Sequence, residues 1–172
     1  MTDILNKLKG GGLRSKGKSE EVVDDILKQP FLFGEVFNGM LNDDPVVRMR
    51  AADAIEKVSR LHPEYLKDYK KMLIQEVSKI DQQEVRWHVA QIFSRLELND
   101  NEQELIVDLL FSWLEESSSN IVRVNSIQTL SDLAEENREL RSLVLEKLQE
   151  IIQIGSPSIV SRGKKLIQKL KS

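Results

Sequence analysis

The chain has no cysteine among its 172 residues, which removes disulfides, thiolate catalysis and cysteine-ligated zinc from consideration. Histidine is almost as scarce. Its two copies, His62 and His88, stand too far apart for the zinc-protease spacing. Aromatic residues make up only 5%, and Leu, Ile and Val carry most of the apolar content, which suits helix packed on helix. No apolar run approaches the roughly 20 residues needed to cross a bilayer. Residues 1–7 lack the apolar stretch of a secretory signal. A cytoplasmic protein with no membrane partner is therefore expected. No segment alternates apolar and polar residues as a strand would.

Phosphate-binding loops and nucleophile elbows are missing as well. Gly10-Gly11-Gly12 follows no strand and lacks the Lys-Ser/Thr of a P-loop. Paired carboxylates such as Glu115-Glu116 and Glu135-Glu136 fall at helix ends and read as solvated faces. No catalytic residue, metal site or cofactor is expected, and the chain is read as non-enzymatic.

What is present is charge asymmetry and a repeat. Residues 1–18 carry a net +4 and residues 155–172 a net +5, leaving −12 for the interior of a chain whose total is −3. Basic ends on an acidic body do not make the continuous basic face of a duplex-DNA reader. Residues 1–18, with three consecutive glycines among lysines, read as a flexible basic segment. Within it, Ile4, Leu5 and Leu8 are spaced to form one apolar turn. Residues 19–172 read as a single domain.

The four prolines punctuate helices. Ser19 is expected to cap a short helix that Pro30 ends. Asp44-Pro45, His62-Pro63 and Ser156-Pro157 place proline at a first helical position. Asn99 with Glu102 forms a capping-box pattern. Helices are expected near 31–41, 45–60, 64–79, 83–97, 102–116, 120–135, 138–154 and 157–171, the first weakened by Gly34 and Gly39.

Val47-Arg48, Val85-Arg86 and Val122-Arg123 recur at a spacing of 38 and then 37 residues, and a weaker copy starts at Ile159. Aligned on the valine, offsets 0, 4, 8 and 11 lie on one helical face. They hold Val47, Ala51, Ile55 and Val58; Val85, Val89, Phe93 and Leu96; Val122, Ser126, Leu130 and Leu133; then Ile159, Gly163, Ile167 and Leu170. A fixed period of this length marks stacked helix pairs. The stretch 44–55, DPVVRMRAADAI, resembles the second helix of the HEAT-repeat, armadillo-like family over residues 30–172.

That resemblance implies an all-α, right-handed α-α superhelix of about four HEAT-like pairs, with the second helices lining the concave side. It also implies structural arginines at 48, 86 and 123. The aspartate that often precedes them in the family is present only at Asp44, with Gln82 and Ser119 in its place later, so a continuous ladder is not expected.

The face opposite the valines carries offsets 2, 6 and 9, with offset 3 beside it. From it Met49, Arg50, Trp87, His88, Gln91, Val124, Asn125 and Gln128 are taken as the partner-binding surface, with Trp87 as anchor. Trp113 instead shares an apolar stripe with Ile106 and Leu110 and reads as core. Three functions are carried forward. The first is a protein-binding scaffold, monomeric or weakly dimeric. The second is nucleic-acid binding of the kind seen in HEAT-like DNA-alkylation glycosylases, with Trp87 and Asp53 in the key places. The third is an accessory subunit of an enzyme such as a bilin lyase, whose members also carry HEAT-like repeats.

Overall fold

The computed structural model describes residues 3–172. Among them the chain is all-helical, with no strand. The helices are α1 (Ser19–Lys28), α2 (Phe33–Asn38), α3 (Pro45–Leu61), α4 (Lys70–Gln75), α5 (Gln83–Phe93), α6 (Asp100–Glu116), α7 (Asn120–Ala134), α8 (Arg138–Ile154) and α9 (Pro157–Lys171), joined in places by 3-10 turns. They gather into two compact units, Met1–Glu97 and Leu98–Ser172. Among the described residues no helix is long and apolar enough to cross a membrane.

In the first unit α3 is the hub, and α1, α2 and α5 pack on it. Asp44 caps it, accepting from the Val46 amide at 2.8 Å, with Pro45 in the first turn. Val47, Ala51, Ile55 and Val58 are fully buried. Burial of a Val or Ile side chain contributes about 1.5–3 kcal/mol. Small residues at 51, 52 and 54 let the neighbouring helices close in.

Two helices expected from the sequence are built in pieces. Residues 30–41 run as a 3-10 turn, α2, and a second 3-10 turn. The 64–79 helix becomes the 3-10 turn Pro63–Tyr69, α4, and the short turn Val77–Lys79. The two broken segments meet in an aromatic cluster. Phe33 packs edge-on against Tyr65 and Tyr69, and Phe37 lies 4.6 Å from Tyr69 between ring centroids. Gly34 makes this possible, since a Cβ there would stand 2.2 Å from the Tyr69 hydroxyl. Phe33, Val36 and Phe37 are thereby buried, while Phe31 stays 70% exposed.

In the second unit α7 packs on α6, α8 and α9, and α8 packs on α9. The Asn99–Glu102 capping box forms as expected. Val122, Leu130, Ile159 and Leu170 are buried, as is Trp113. Ser126 sits in the seam with its hydroxyl bonded to the Val122 carbonyl at 2.8 Å, so the small polar residue is satisfied.

The repeated arginines bind backbone just ahead of their own helices. Arg48 donates to the carbonyls of Asn42 and Asp43 and, at 2.8 Å, to the Gln82 side chain, which itself donates to the Pro45 carbonyl. Arg86 reaches the Ile80 carbonyl and Asp81, and Arg123 the Leu114 carbonyl. Gln82 thus does for Arg48 what an aspartate would do in a ladder.

Ser19 differs from its expected capping role. It is the first residue of α1, fully buried, and its hydroxyl donates to Asp53 on α3 at 2.9 Å instead of closing its own helix. Ahead of it, residues 3–18 are docked on the unit. The 3-10 turn Ile4–Leu8 buries Ile4 and Leu8 on α1, α2 and α3. The chain then turns through Gly10, Gly11 and Gly17, all at positive φ, where a Cβ would be strained.

Candidate functional site

The Arg50 guanidinium holds that glycine-rich strap. It donates to the carbonyls of Leu8 (2.8 Å), Lys9 (3.2 Å), Gly10 (2.7 Å) and Ser15 (3.0 Å). The side chain is consequently only 2% exposed. Gly17 packs against it so closely that a Cβ would lie 2.6 Å from the guanidinium carbon. Arg50, placed on an outward partner-binding face by helical phase, is corrected to an internal clamp. The helical wheel sees only the local chain, and the covering strap comes from 35 to 42 residues away. Met49 is also mostly covered, at 7% exposed, but what remains of its surface faces a pocket.

Beside the clamp lies an open pocket of about 310 Å3. Its walls are Leu13, Arg14, Ser15 and Lys16 of the strap, Met49, Arg50 and Asp53 of α3, and Trp87 and His88 of α5. Trp87 and His88 are half-buried, and their rings stand 5.8 Å apart. Among the described residues the Trp87 indole N–H makes no hydrogen bond, so it is available to a ligand. Leu13, Arg14 and Lys16 are exposed and give the pocket an apolar lip with a basic edge. Gln91, one turn beyond Trp87, is half-buried and outside the lining.

The floor is charged and mostly satisfied. Asp53 Oδ2 accepts from Ser19 and, at 2.8 Å, from Lys57, and Lys57 also binds Glu20. Burial pushes the Asp53 carboxyl up, but the bonds from Lys57 and Ser19 and the nearby charges outweigh it and hold it below the usual carboxylate value. The Asp53 Oδ1 faces His88 Nε2 at 3.9 Å. Burial lowers the His88 pKa despite that carboxylate, which favours the neutral ring. Its Nδ1 is buried with no hydrogen-bond partner, a state that costs about 1–3 kcal/mol.

A second charged network fixes the other end of α3. Glu56, 1% exposed, accepts from Arg60 at 2.8 Å through both carboxylate oxygens and from Arg95 at 2.6 Å. Arg95 also donates to the Glu56 carbonyl and the Ser59 hydroxyl. Nothing in the repeat pattern pointed to Glu56. Its offset of 9 puts it on the face opposite the seam, and its partner Arg95, just past the end of α5, comes from 39 residues along the chain.

The remaining expected site residues belong to the second unit. Val124, Asn125 and Gln128 are half-buried on α7. Asn125 donates back to the Ile121 carbonyl at 3.0 Å. Gln128 bonds Asp132 and accepts from Arg162 at 2.6 Å. The polar groups of Asn125 and Gln128 are engaged within the unit, whereas Met49, Arg50, Trp87 and His88 line one pocket together. Among the described residues no cluster of three His, Asp or Glu side chains is arranged to hold a metal ion.

No family model, no curated protein and no solved structure matches the chain.

Proposed function

We propose that the chain is an array of HEAT-type helix pairs that works as a non-catalytic protein-binding module. The array reading rests on the 37–38-residue period, the buried Val or Ile that opens each repeat's seam, and the bonds from Arg48, Arg86 and Arg123 to the backbone ahead of their helices. The binding reading rests on one observation: Trp87 stands on the wall of an open pocket with an unbonded indole N–H, framed by Met49, Leu13 and the basic edge of the strap. A half-buried tryptophan with a polar handle free is the composition of an interface anchor. A partner would place an apolar side chain against Met49 and Trp87 and a carboxylate or carbonyl near Arg14, Lys16 and the indole.

The nucleic-acid alternative needs a free carboxylate beside the tryptophan. Asp53 is instead engaged by Ser19 and Lys57, and the exposed basic residues of the pocket lining, Arg14 and Lys16, belong to the strap.

The test compares capture from extracts of the native cell by the wild-type chain and by Trp87→Ala. The expected result is a protein retained by the wild type and lost with the variant, at nearly unchanged melting temperature. Equal capture by both removes the pocket from the interaction. A salt-sensitive affinity for duplex or single-stranded DNA that Trp87→Ala abolishes would favour the nucleic-acid reading instead.

A further inference from the structure

The second unit has a surface that the repeat pattern does not single out. α6 and α8 run side by side in the same direction, with a trough between them. At one end Gln103 and Val107 of α6 face Asn137 and Leu140 of α8 across a pocket of about 500 Å3. At the other, Phe111 faces Leu143 and Lys147 across one of about 290 Å3. Leu143 lines both pockets, so the two are one trough. Its lining runs along α6 from Asp100 to Glu115, about 22 Å at 1.5 Å per residue.

The floor is apolar. Val107 and Leu140 are each 8% exposed, Phe111 is half-buried, and Leu143 is 51% exposed. A half-exposed leucine at the centre of a lined trough is surface that gains by being covered.

The rim is acidic on both sides. Asp100, Glu104 and Glu115 line it from α6, and Glu139, Glu146 and Glu150 from α8. Lys147 is the one cation of the lining, and Glu115 at 2.7 Å and Glu150 at 3.5 Å already hold it. Asp100, Glu104, Glu139 and Glu146 pair with no cation among the described residues. Asp100 and Glu139 stand in first helical turns, where a carboxylate offsets the helix dipole. Glu104 and Glu146 have no such local reason to be there.

We propose that the α6–α8 trough docks a basic amphipathic helix of a partner protein. Such a helix lays leucine-like side chains over Val107, Phe111 and Leu143, and its flanking lysines or arginines meet the two acidic rims. An apolar groove of this length takes a helix of roughly four turns. Its charge selects a basic helix over an acidic one.

The chain's own basic segments do not supply this helix to a second copy. α9 carries Arg162, Lys164, Lys165 and Lys171, but its apolar residues Ile159, Leu166 and Leu170 are buried in its own unit. The N-terminal strap has likewise buried Ile4 and Leu8. The occupant therefore comes from another protein, and the site does not depend on the Trp87 pocket.

The experiment uses the full chain and a labelled synthetic helix of roughly 18 residues, leucine on one face and lysine on the other, read by fluorescence anisotropy at low and high salt. The expected result is saturable binding that weakens with salt, falls about tenfold or more in the Glu146→Lys/Glu150→Lys double variant, and falls comparably in Leu143→Asp. Trp87→Ala leaves it unchanged, which separates this site from the pocket of the first unit. A charge-matched double variant in the first unit, Asp68→Lys/Glu76→Lys, also leaves it unchanged.

Equal losses from the two double variants would reduce the effect to net charge and overturn the proposal. Equal binding of a peptide with glutamate in place of lysine would do the same. Concentration-dependent self-association that Glu146→Lys/Glu150→Lys abolishes would overturn the choice of occupant in favour of a second copy.

Discussion

The two units carry opposite kinds of opening. The first-unit pocket has a basic lip made by the strap, and its floor is a network of ion pairs in which nearly every charge is matched. The second-unit trough has an acidic rim with unmatched carboxylates and an apolar floor. In the first, the residues that shape the opening also hold the unit together: Arg50 ties down the strap and Asp53 ties α1 to α3. In the second, the rim carboxylates and the half-exposed Leu143 are surface residues of helices that are anchored elsewhere. Mutations in the clamp and charged floor of the first-unit opening should therefore cost stability, and mutations of the trough's rim and of Leu143 binding alone.

The largest effect should come from Glu56→Ala. The substitution strands Arg95, whose side chain is 18% exposed, without its carboxylate. Breaking one member of a buried ion pair costs about 3–5 kcal/mol, which urea denaturation would resolve. Burial raises the Glu56 pKa, but the hydrogen bonds from Arg60 and Arg95 reverse this and hold it below the ordinary carboxylate value. A depressed carboxylate contributes stability at neutral pH that is lost as pH falls through the folded-state pKa. Glu56→Ala should accordingly flatten the acid limb of the wild-type stability curve. A cost under about 1 kcal/mol would show that the network adds little, as exposed pairs do.

Arg50→Met comes next. Four backbone carbonyls lose their donor together, and the expected loss is roughly 2 kcal/mol, in line with hydrogen bonds to a charged group. Amide exchange should accelerate across residues 8–17 while α6 to α9 stay protected. Gly17→Ala should release the strap as well, because it meets both the positive φ and the Arg50 guanidinium. Unchanged exchange in the strap would show that Ile4 and Leu8 suffice to dock it.

This clamp marks the boundary of what the sequence made legible. The seam residues were readable because burial repeats with the helical period, and Val47, Val85, Val122 and Ile159 are all fully buried. The arginine one step along was readable because it bonds backbone a few residues ahead of its own helix. Arg50 was not, since its partners lie in a strap whose path is set by three glycines and two buried apolar residues. The same reason hides the breaks around Tyr65 and Tyr69, where aromatic packing across distant segments overrides local helix preference. The trough was hidden for a different reason. Its carboxylates look like any solvated helix face until α8 is known to lie beside α6.

A smaller effect is expected at His88. Burial lowers its pKa in the folded state even with Asp53 close by. The unfolded chain, with an ordinary value of about 6.5, takes up the proton first as pH falls. Protonation therefore draws the equilibrium toward the unfolded state, and stability drops as pH goes below that value until the folded-state pKa is passed. His88→Gln removes this contribution, so its stability should fall less than that of the wild type between neutral and mildly acidic pH. Parallel curves for the two proteins would mean that Asp53 cancels the effect of burial.

The smallest effect is the most discriminating for the comparison. Leu143 is half exposed and sits over the trough rather than in the seam of the second unit. Leu143→Asp should then change stability by no more than about 0.5 kcal/mol, the range of ordinary surface substitutions. Val144, one residue along and 1% exposed, provides the reference. Val144→Asp should unfold the second unit, because the carboxylate would be buried without a partner. If Leu143→Asp costs as much as Val144→Asp, the trough floor is part of the packing. The contrast between a unit whose opening is structural and one whose opening is free for a partner would then fail.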